Sequence, residues 1–164
     1  MRIIVMSDTH RDFRAIQELI KKHRKADIFI HLGDGLSEFE QIMDLYPEYK
    51  YLSARGNCDF GVDTSLAGCF SCGLAKIFYT HGHMYHVKYG LDDVLQAGKQ
   101  MEANVILFGH THVPLVRYED GVYLMNPGSL GMPHGHKPTY GVIDITEKEI
   151  VCYINELSYP SHEH

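Results

Sequence analysis

The sequence predicts an α/β protein: a sandwich of two mixed β-sheets with helices on its outer faces, in one domain. Three observations predict it. Over the first third, short β-branched runs alternate with amphipathic stretches of helical period, the pattern of parallel strands joined by helical crossovers. Beyond Pro114 the pattern becomes pairs of apolar runs separated by short polar turns, as in antiparallel hairpins. The length of 164 residues suits one domain with a full core.

In chain order, residues 2–6 form a buried strand that stops at Ser7-Asp8-Thr9-His10. Phe13, Ile16, Leu19, Ile20 and His23 then recur at helical spacing. Residues 27–32 are a second strand, closed by Gly33-Asp34-Gly35, where glycine on both sides lets the backbone turn sharply. Ser37-x-x-Glu40 has the pattern of a capping box, and Phe39, Ile42, Met43 and Tyr46 extend a second helix as far as Pro47. Residues 49–54 are the third strand, ending at Arg55-Gly56-Asn57-Cys58-Asp59. Residues 66–70 and 74–80 read as a hairpin across Ser71-Cys72-Gly73, running into His81-Gly82-His83. Leu91, Val94, Leu95, Gly98 and Met101 carry a helix, and residues 105–108 a short strand before Gly109-His110-Thr111-His112. Two hairpins follow, 115–118 with 122–125 and 140–145 with 150–157, and residues 158–164 read as a frayed tail.

Composition narrows the class of function. A hydrophobic share of 45% and a charged share of 22% are those of an ordinary globular protein. With a net charge of −6 and basic runs of only a few residues, there is no electrostatic footprint for nucleic acid. No apolar run approaches the roughly 20 residues that span a bilayer, and Ile3-Ile4-Val5-Met6 is too short for a signal-peptide core. Cys58, Cys69, Cys72 and Cys152 make no disulfide framework, and Cys69-x-x-Cys72 lacks the second pair of a zinc site. A reduced, cytoplasmic setting is the simplest account.

Asp8-x-His10, Asp34, Asn57, His81-x-His83 and His110-x-His112 each follow a predicted strand, most beside glycine. One such cluster would be unremarkable, and Asp34 taken alone reads better as a helix cap. Five together point to a metal site, with Asp34 as the carboxylate that bridges two ions. Imidazole plus carboxylate suits borderline divalent ions such as Mn²⁺, Fe²⁺, Ni²⁺ or Zn²⁺. Two ions about 3.5–4 Å apart can clamp both oxygens of an in-line phosphoryl displacement and turn water into a nucleophile near neutral pH.

In this order, Asp8-x-His10, Gly33-Asp34, Gly56-Asn57-x-Asp59, His81-Gly82-His83 and Gly109-His110-Thr111-His112 resemble the calcineurin-like metallophosphoesterase superfamily. Within it the chain is similar to the small YfcE-like phosphodiesterases, which share Gly-Asn-Cys-Asp, His-Gly-His and the later Asn126-Pro127-Gly128-Ser129. The resemblance runs from residue 1 to about residue 157. It implies a four-layer α-β-β-α sandwich and a dinuclear centre with manganese as the expected metal. Asp8, His10 and His112 would hold one ion, Asn57, His81 and His110 the other, and Asp34 would bridge them. Asn57 would also touch the substrate phosphate, and a metal-bridging hydroxide would attack a small-molecule phosphodiester. Two positions depart from the wider superfamily. Cys58 stands where many members have histidine as proton donor, and a neutral thiol is a poor relay at pH 7. Arg11 stands where glycine is usual, and either meets a substrate phosphate or, as we favour, points to solvent.

The other histidines read as structural or exposed: His31 buried and satisfied in its strand, His23 and His86 on the surface, His134 and His136 in an exposed loop, and His83 behind the metal ligands. Asn126-Pro127-Gly128-Ser129 is expected to buttress the site. The rival functions are a phosphomonoesterase or phosphoprotein phosphatase of the same fold, and a non-catalytic scaffold like the metallophosphoesterase-fold subunit of the retromer coat.

Overall fold

A computed structural model describes residues 1–133, 135 and 137–158. His134, His136 and the predicted tail from residue 159 onward lie outside the described residues. The first sheet runs β10-β9-β1-β2-β3, from Ile150–Glu156, Thr139–Ile145, Arg2–Met6, Ile28–His31 and Lys50–Ser53. Its β1, β2 and β3 are parallel, as the β-α-β-α-β pattern requires, and β9 and β10 add antiparallel. The second sheet runs β4-β5-β6-β8-β7, from Ala67–Cys72, Ala75–Thr80, Val105–Leu107, Val122–Asn126 and Leu115–Glu119.

The burial pattern of the strands explains the layers. Alternate side chains of a strand face opposite ways. Ile3, Val5, Ile28 and Ile30 from the first sheet therefore meet Ile77, Val105, Leu107 and Met125 from the second, and form the core between the sheets. On the outer face, Ile4, Met6 and Phe29 pack on helices α1 (Phe13–Lys22) and α2 (Leu36–Leu45) through Ile16, Leu19, Ile20, Phe39 and Ile42. Phe78, Ile106, Phe108 and Leu124 pack on helix α3 (Asp92–Gln100) through Val94. The result is the four-layer α-β-β-α sandwich.

Two local expectations need correction. α2 begins at Leu36, capped by Gly35, so Ser37 lies inside the first turn and makes no capping box. The first hairpin turns at Gly73-Leu74, because Cys72 still pairs with Ala75. Cys69 and Cys72 thus share strand β4 at odd spacing and face opposite sides of the sheet, which rules out a joint role for them. After His81, the residues His83–Tyr85 form a single 3₁₀ turn that the sequence pattern did not show.

Candidate metal centre

The candidate residues meet at one end of the sandwich, in the loops that leave the carboxyl ends of β1, β2, β3, β5 and β6. Open α/β sheets place their ligands in such positions. The turns are tight: Asp8, His10, Asp34, His110 and His112 all take left-handed backbone, with φ of 55°, 40°, 60°, 71° and 62°. Asp and His tolerate this region better than bulky residues, yet each such position costs on the order of 1 kcal/mol or more and persists only when its surroundings enforce it. Here the enforcement is visible. Asp8 N–H donates to the Gly33 carbonyl at 2.9 Å, and His10 N–H to the Asp34 carbonyl at 3.0 Å. Ser129 Oγ and Gly131 N–H donate to the Asp8 carbonyl at 2.8 and 3.2 Å.

One group of donors gathers round Asp8. Its Oδ2 accepts from Ser7 Oγ at 2.5 Å and from His110 N–H at 3.1 Å. Among the described residues its Oδ1 is buried without a hydrogen-bond partner. That oxygen faces His112 Nε2 at 3.2 Å and His10 Nε2 at 3.7 Å, and the two imidazole nitrogens stand 3.2 Å apart. His112 Nδ1–H donates to the Met132 carbonyl at 2.9 Å, which turns the Nε2 lone pair inward. The second group gathers round His81. Its Nδ1–H donates to the Leu32 carbonyl at 2.8 Å. Its Nε2 lies 3.1 Å from Asn57 Oδ1, 3.1 Å from His110 Nδ1 and 3.3 Å from Asp34 Oδ2. The same Asp34 oxygen is 3.9 Å from His10 Nε2, so it lies between the groups. Its other oxygen accepts from Cys58 N–H at 2.8 Å.

The electrostatics express the same crowding. Burial pushes the Asp8 carboxyl up, but the imidazoles of His10 and His112 facing it hold it well below the carboxylate range. Asp8 in turn raises His10 and His112. Burial disfavours the His81 cation, yet Asp34 and Asp8 raise it on balance. Burial also works against ionised Asp34, but His81 leaves it lowered. His110 falls to about 4 through burial and the neighbouring His81 charge. Facing imidazole nitrogens around an orphaned carboxylate oxygen call for positive charge between them. Asp8, His10 and His112 can hold one divalent cation, and Asp34, His81 and His110 another. The donor set fits the ions it suggests.

Around these donors stands a frame that the sequence did not disclose. Asp59 accepts four backbone N–H groups: Asp34 and Gly56 on Oδ2 at 2.8 Å each, Gly35 and Leu36 on Oδ1 at 2.9 and 3.0 Å. It caps α2 from a distant loop and fixes the turn that carries Asp34. The reading of Asp34 as the cap is thereby excluded. Gly56 is required beside it, since a Cβ there would lie 2.2 Å from Asp34 Oδ1. Beneath, His31 is buried and satisfied as expected. Its Nδ1 accepts from Gly33 N–H at 3.0 Å, so Nε2–H donates to Thr9 Oγ1 at 3.0 Å, and Thr9 donates to Glu38 at 2.9 Å. Glu38 also accepts the Arg11 N–H. Burial keeps His31 neutral, with its pKa lowered to about 4. Asn126 buttresses the site as expected, donating to the Gly109 carbonyl and Thr111 Oγ1 at 3.1 and 2.9 Å and accepting from Gly128 N–H at 2.9 Å.

The remaining positions divide. Cys58 is exposed, its Sγ close enough to His10 and Asp34 to form a third donor group. Partial desolvation of the thiol and the Asp34 charge push its pKa up, so it stays protonated at neutral pH. His83 lies beside His81 and His110, with ring centroids 5.3 and 6.1 Å away, and its buried Nδ1 has no partner among the described residues. Arg11 is exposed at the mouth, with φ of 73° in the region where glycine is at home. His86 is exposed as expected. His23 is not a free surface residue: it closes the end of α1, and its Nε2 shares a 2.9 Å hydrogen bond with Tyr140 Oη.

Comparison with known proteins places the chain in a family. The calcineurin-like phosphoesterase superfamily domain matches residues 1–148. The probable metallophosphoesterase YsnB of Bacillus subtilis is 34% identical over 135 residues, covering 81% of this chain and 77% of its own. The phosphodiesterase YfcE of Escherichia coli K12 is 28% identical, covering 88% of each chain. The solved structure of a predicted phosphoesterase from Streptococcus pneumoniae TIGR4 superposes with a TM-score of 0.81 at 28% identity, over 94% of this chain and 88% of that one. The chain belongs to the calcineurin-like phosphoesterase superfamily.

Proposed function

We propose that this protein is a metal-dependent phosphodiesterase with a dinuclear centre. Asp8, His10 and His112 hold one ion, Asn57, His81 and His110 the other, and Asp34 lies between. The observation that carries the reading is the buried, unpartnered Asp8 Oδ1 facing imidazole nitrogens, with Asp34 Oδ2 shared by both donor groups. Divalent ions, when bound, polarise phosphoryl oxygens and supply a nucleophile from water near neutral pH. The histidines favour Mn²⁺ or a neighbouring transition ion over Mg²⁺.

The chain's own residues set the substrate class. Asn57 is exposed beside His81, where its amide presents a donor to a substrate phosphate while Oδ1 faces the donor cluster. Cys58 keeps its proton and is a weak donor, so leaving groups that need protonation fare badly. That favours diesters with good leaving groups over alkyl monoesters, in line with the relative named a phosphodiesterase. The substrate is a small molecule, since the acidic chain has little to offer duplex nucleic acid. The setting is cytoplasmic, and no described helix is long and apolar enough to cross a membrane. A non-catalytic scaffold has less in its favour, because every ligand position is filled.

Chelation should abolish hydrolysis of activated diesters, and Mn²⁺ should restore it better than Mg²⁺. Asp34→Asn should be the most damaging single change, with both lost turnover and lost metal by elemental analysis. Full activity after verified metal removal would refute the reading, as would normal turnover with two ions bound in Asp34→Asn.

A further inference from the structure

Beside the donor cluster a groove of about 920 Å³ runs from His10, Asp34 and Cys58 outward between α2 and the loop after β3. It opens from both donor groups, at His10 and Asp34, and beyond them its lining is part apolar and part polar. The apolar part of the lining includes Phe60, Val62 and Met132. Phe60 is 89% exposed and Met132 53%, although an exposed phenylalanine gains nothing for the fold. The polar part comes from the first turns of α2, where Ser37, Glu40 and Gln41 are exposed and make no side-chain hydrogen bond among the described residues. Arg11 stands at the mouth, exposed, with no ion pair among the described residues.

A large aromatic face beside unused hydrogen-bonding groups, within reach of an anion site and a free cation, fits one kind of ligand. It is a flat ring system that stacks on one side and hydrogen-bonds along its edge, tethered to a phosphate. A plain alkyl chain would leave the polar wall unmet, and a sugar phosphate without a ring would leave Phe60 in water. We propose that this groove is the subsite for the ester arm that remains on the phosphate, that it selects nucleoside-like or aryl arms, and that Phe60 is its specificity-determining residue. The proposal rests on the phosphodiesterase reading above.

The test varies the retained arm at a constant leaving group. The Mn²⁺-loaded protein is assayed with thymidine 5′-(p-nitrophenyl) phosphate, bis(p-nitrophenyl) phosphate and methyl p-nitrophenyl phosphate, with p-nitrophenyl phosphate as the monoester. The thymidine and aryl arms should exceed the methyl arm in kcat/KM. Phe60→Ala should lower the thymidine-to-methyl ratio by about tenfold, the order of a base–aromatic stack, mainly through KM, and Phe60→Tyr should restore it. Rates that do not depend on the arm, or a Phe60→Ala loss equal on all arms, would overturn the subsite and leave the phosphodiesterase reading intact. Turnover of the monoester with none of the diesters would overturn the phosphodiesterase reading, and the subsite with it. Phe60 bears no packing in the core, so the variants fold.

Discussion

Asp59→Ala is the change that most directly tests how the site is held. The carboxylate accepts from Asp34, Gly35, Leu36 and Gly56 N–H groups, all at 2.8–3.0 Å. Losing a helix cap costs about 1 kcal/mol, and removing a negative charge from a helix N-terminus about 0.3–1 kcal/mol more. Hydrogen bonds to a charged acceptor contribute roughly 1.5–3 kcal/mol each, but four donors share one half-buried carboxylate that water can reach. We expect a loss of about 3 kcal/mol. For a chain of this size that lowers Tm by roughly 6–12 °C. Asp59→Asn keeps one acceptor edge and should lose about half as much. Because the Asp34 turn hangs on these bonds, turnover of an activated diester should fall further than the stability loss explains at a temperature where both variants are folded. Equilibrium denaturation and steady-state kinetics on the three proteins decide it. An alanine variant within about 0.5 kcal/mol of the parent would refute the capping argument.

The other expectations are local. Asp8 raises His10 and His112, so their protonation stabilises the metal-free fold fully below the ordinary imidazole pKa of about 6.5, and that contribution is lost as pH rises through the raised values. Cations need the neutral rings, so Mn²⁺ affinity by calorimetry should climb steeply from about pH 6 to about pH 8, and a flat profile would contradict the ligand assignment. Cys58→Ala should be nearly silent on activated diesters, whereas Cys58→His should help poor leaving groups by at most about 10²–10⁴-fold. A large alanine effect with both ions bound would show instead that the thiol takes part directly. Arg11→Gly should raise the denaturation midpoint, since relief of about 1–2 kcal/mol of left-handed strain outweighs about 0.4–1 kcal/mol of added unfolded-state entropy. A lower midpoint would mean the Arg11 side chain holds more than its backbone.

The residues that gather at the site were readable because most follow a short unbroken apolar run of the kind that is buried on both faces of a sheet. Ile3 to Met6 or Ile28 to His31 can only be buried, and what comes next must turn at the sheet's end. What stayed hidden depends on pairs far apart in the chain. Ser37 looked like a cap because Glu40 follows three residues later, but the real acceptor is Asp59, which no local pattern connects to Leu36. His23 looked exposed at a helix end, and only the return of β9 brings Tyr140 to it. The left-handed backbone at five donor positions was equally invisible, since aspartate and histidine do not announce φ as glycine does.

Asp8, His10, Asp34 and Asn57 follow strands of the first sheet, and His81, His110 and His112 follow strands of the second. Ions held among them would rivet the two halves of the sandwich at one pole only. At the other pole, where β1 and β2 begin at Arg2 and Ile28, the halves meet among the described residues through packed side chains. A loaded molecule would then open like a book with its spine at the metal pole. Cation supply would govern how long the folded chain lasts under heat, apart from anything it does to turnover.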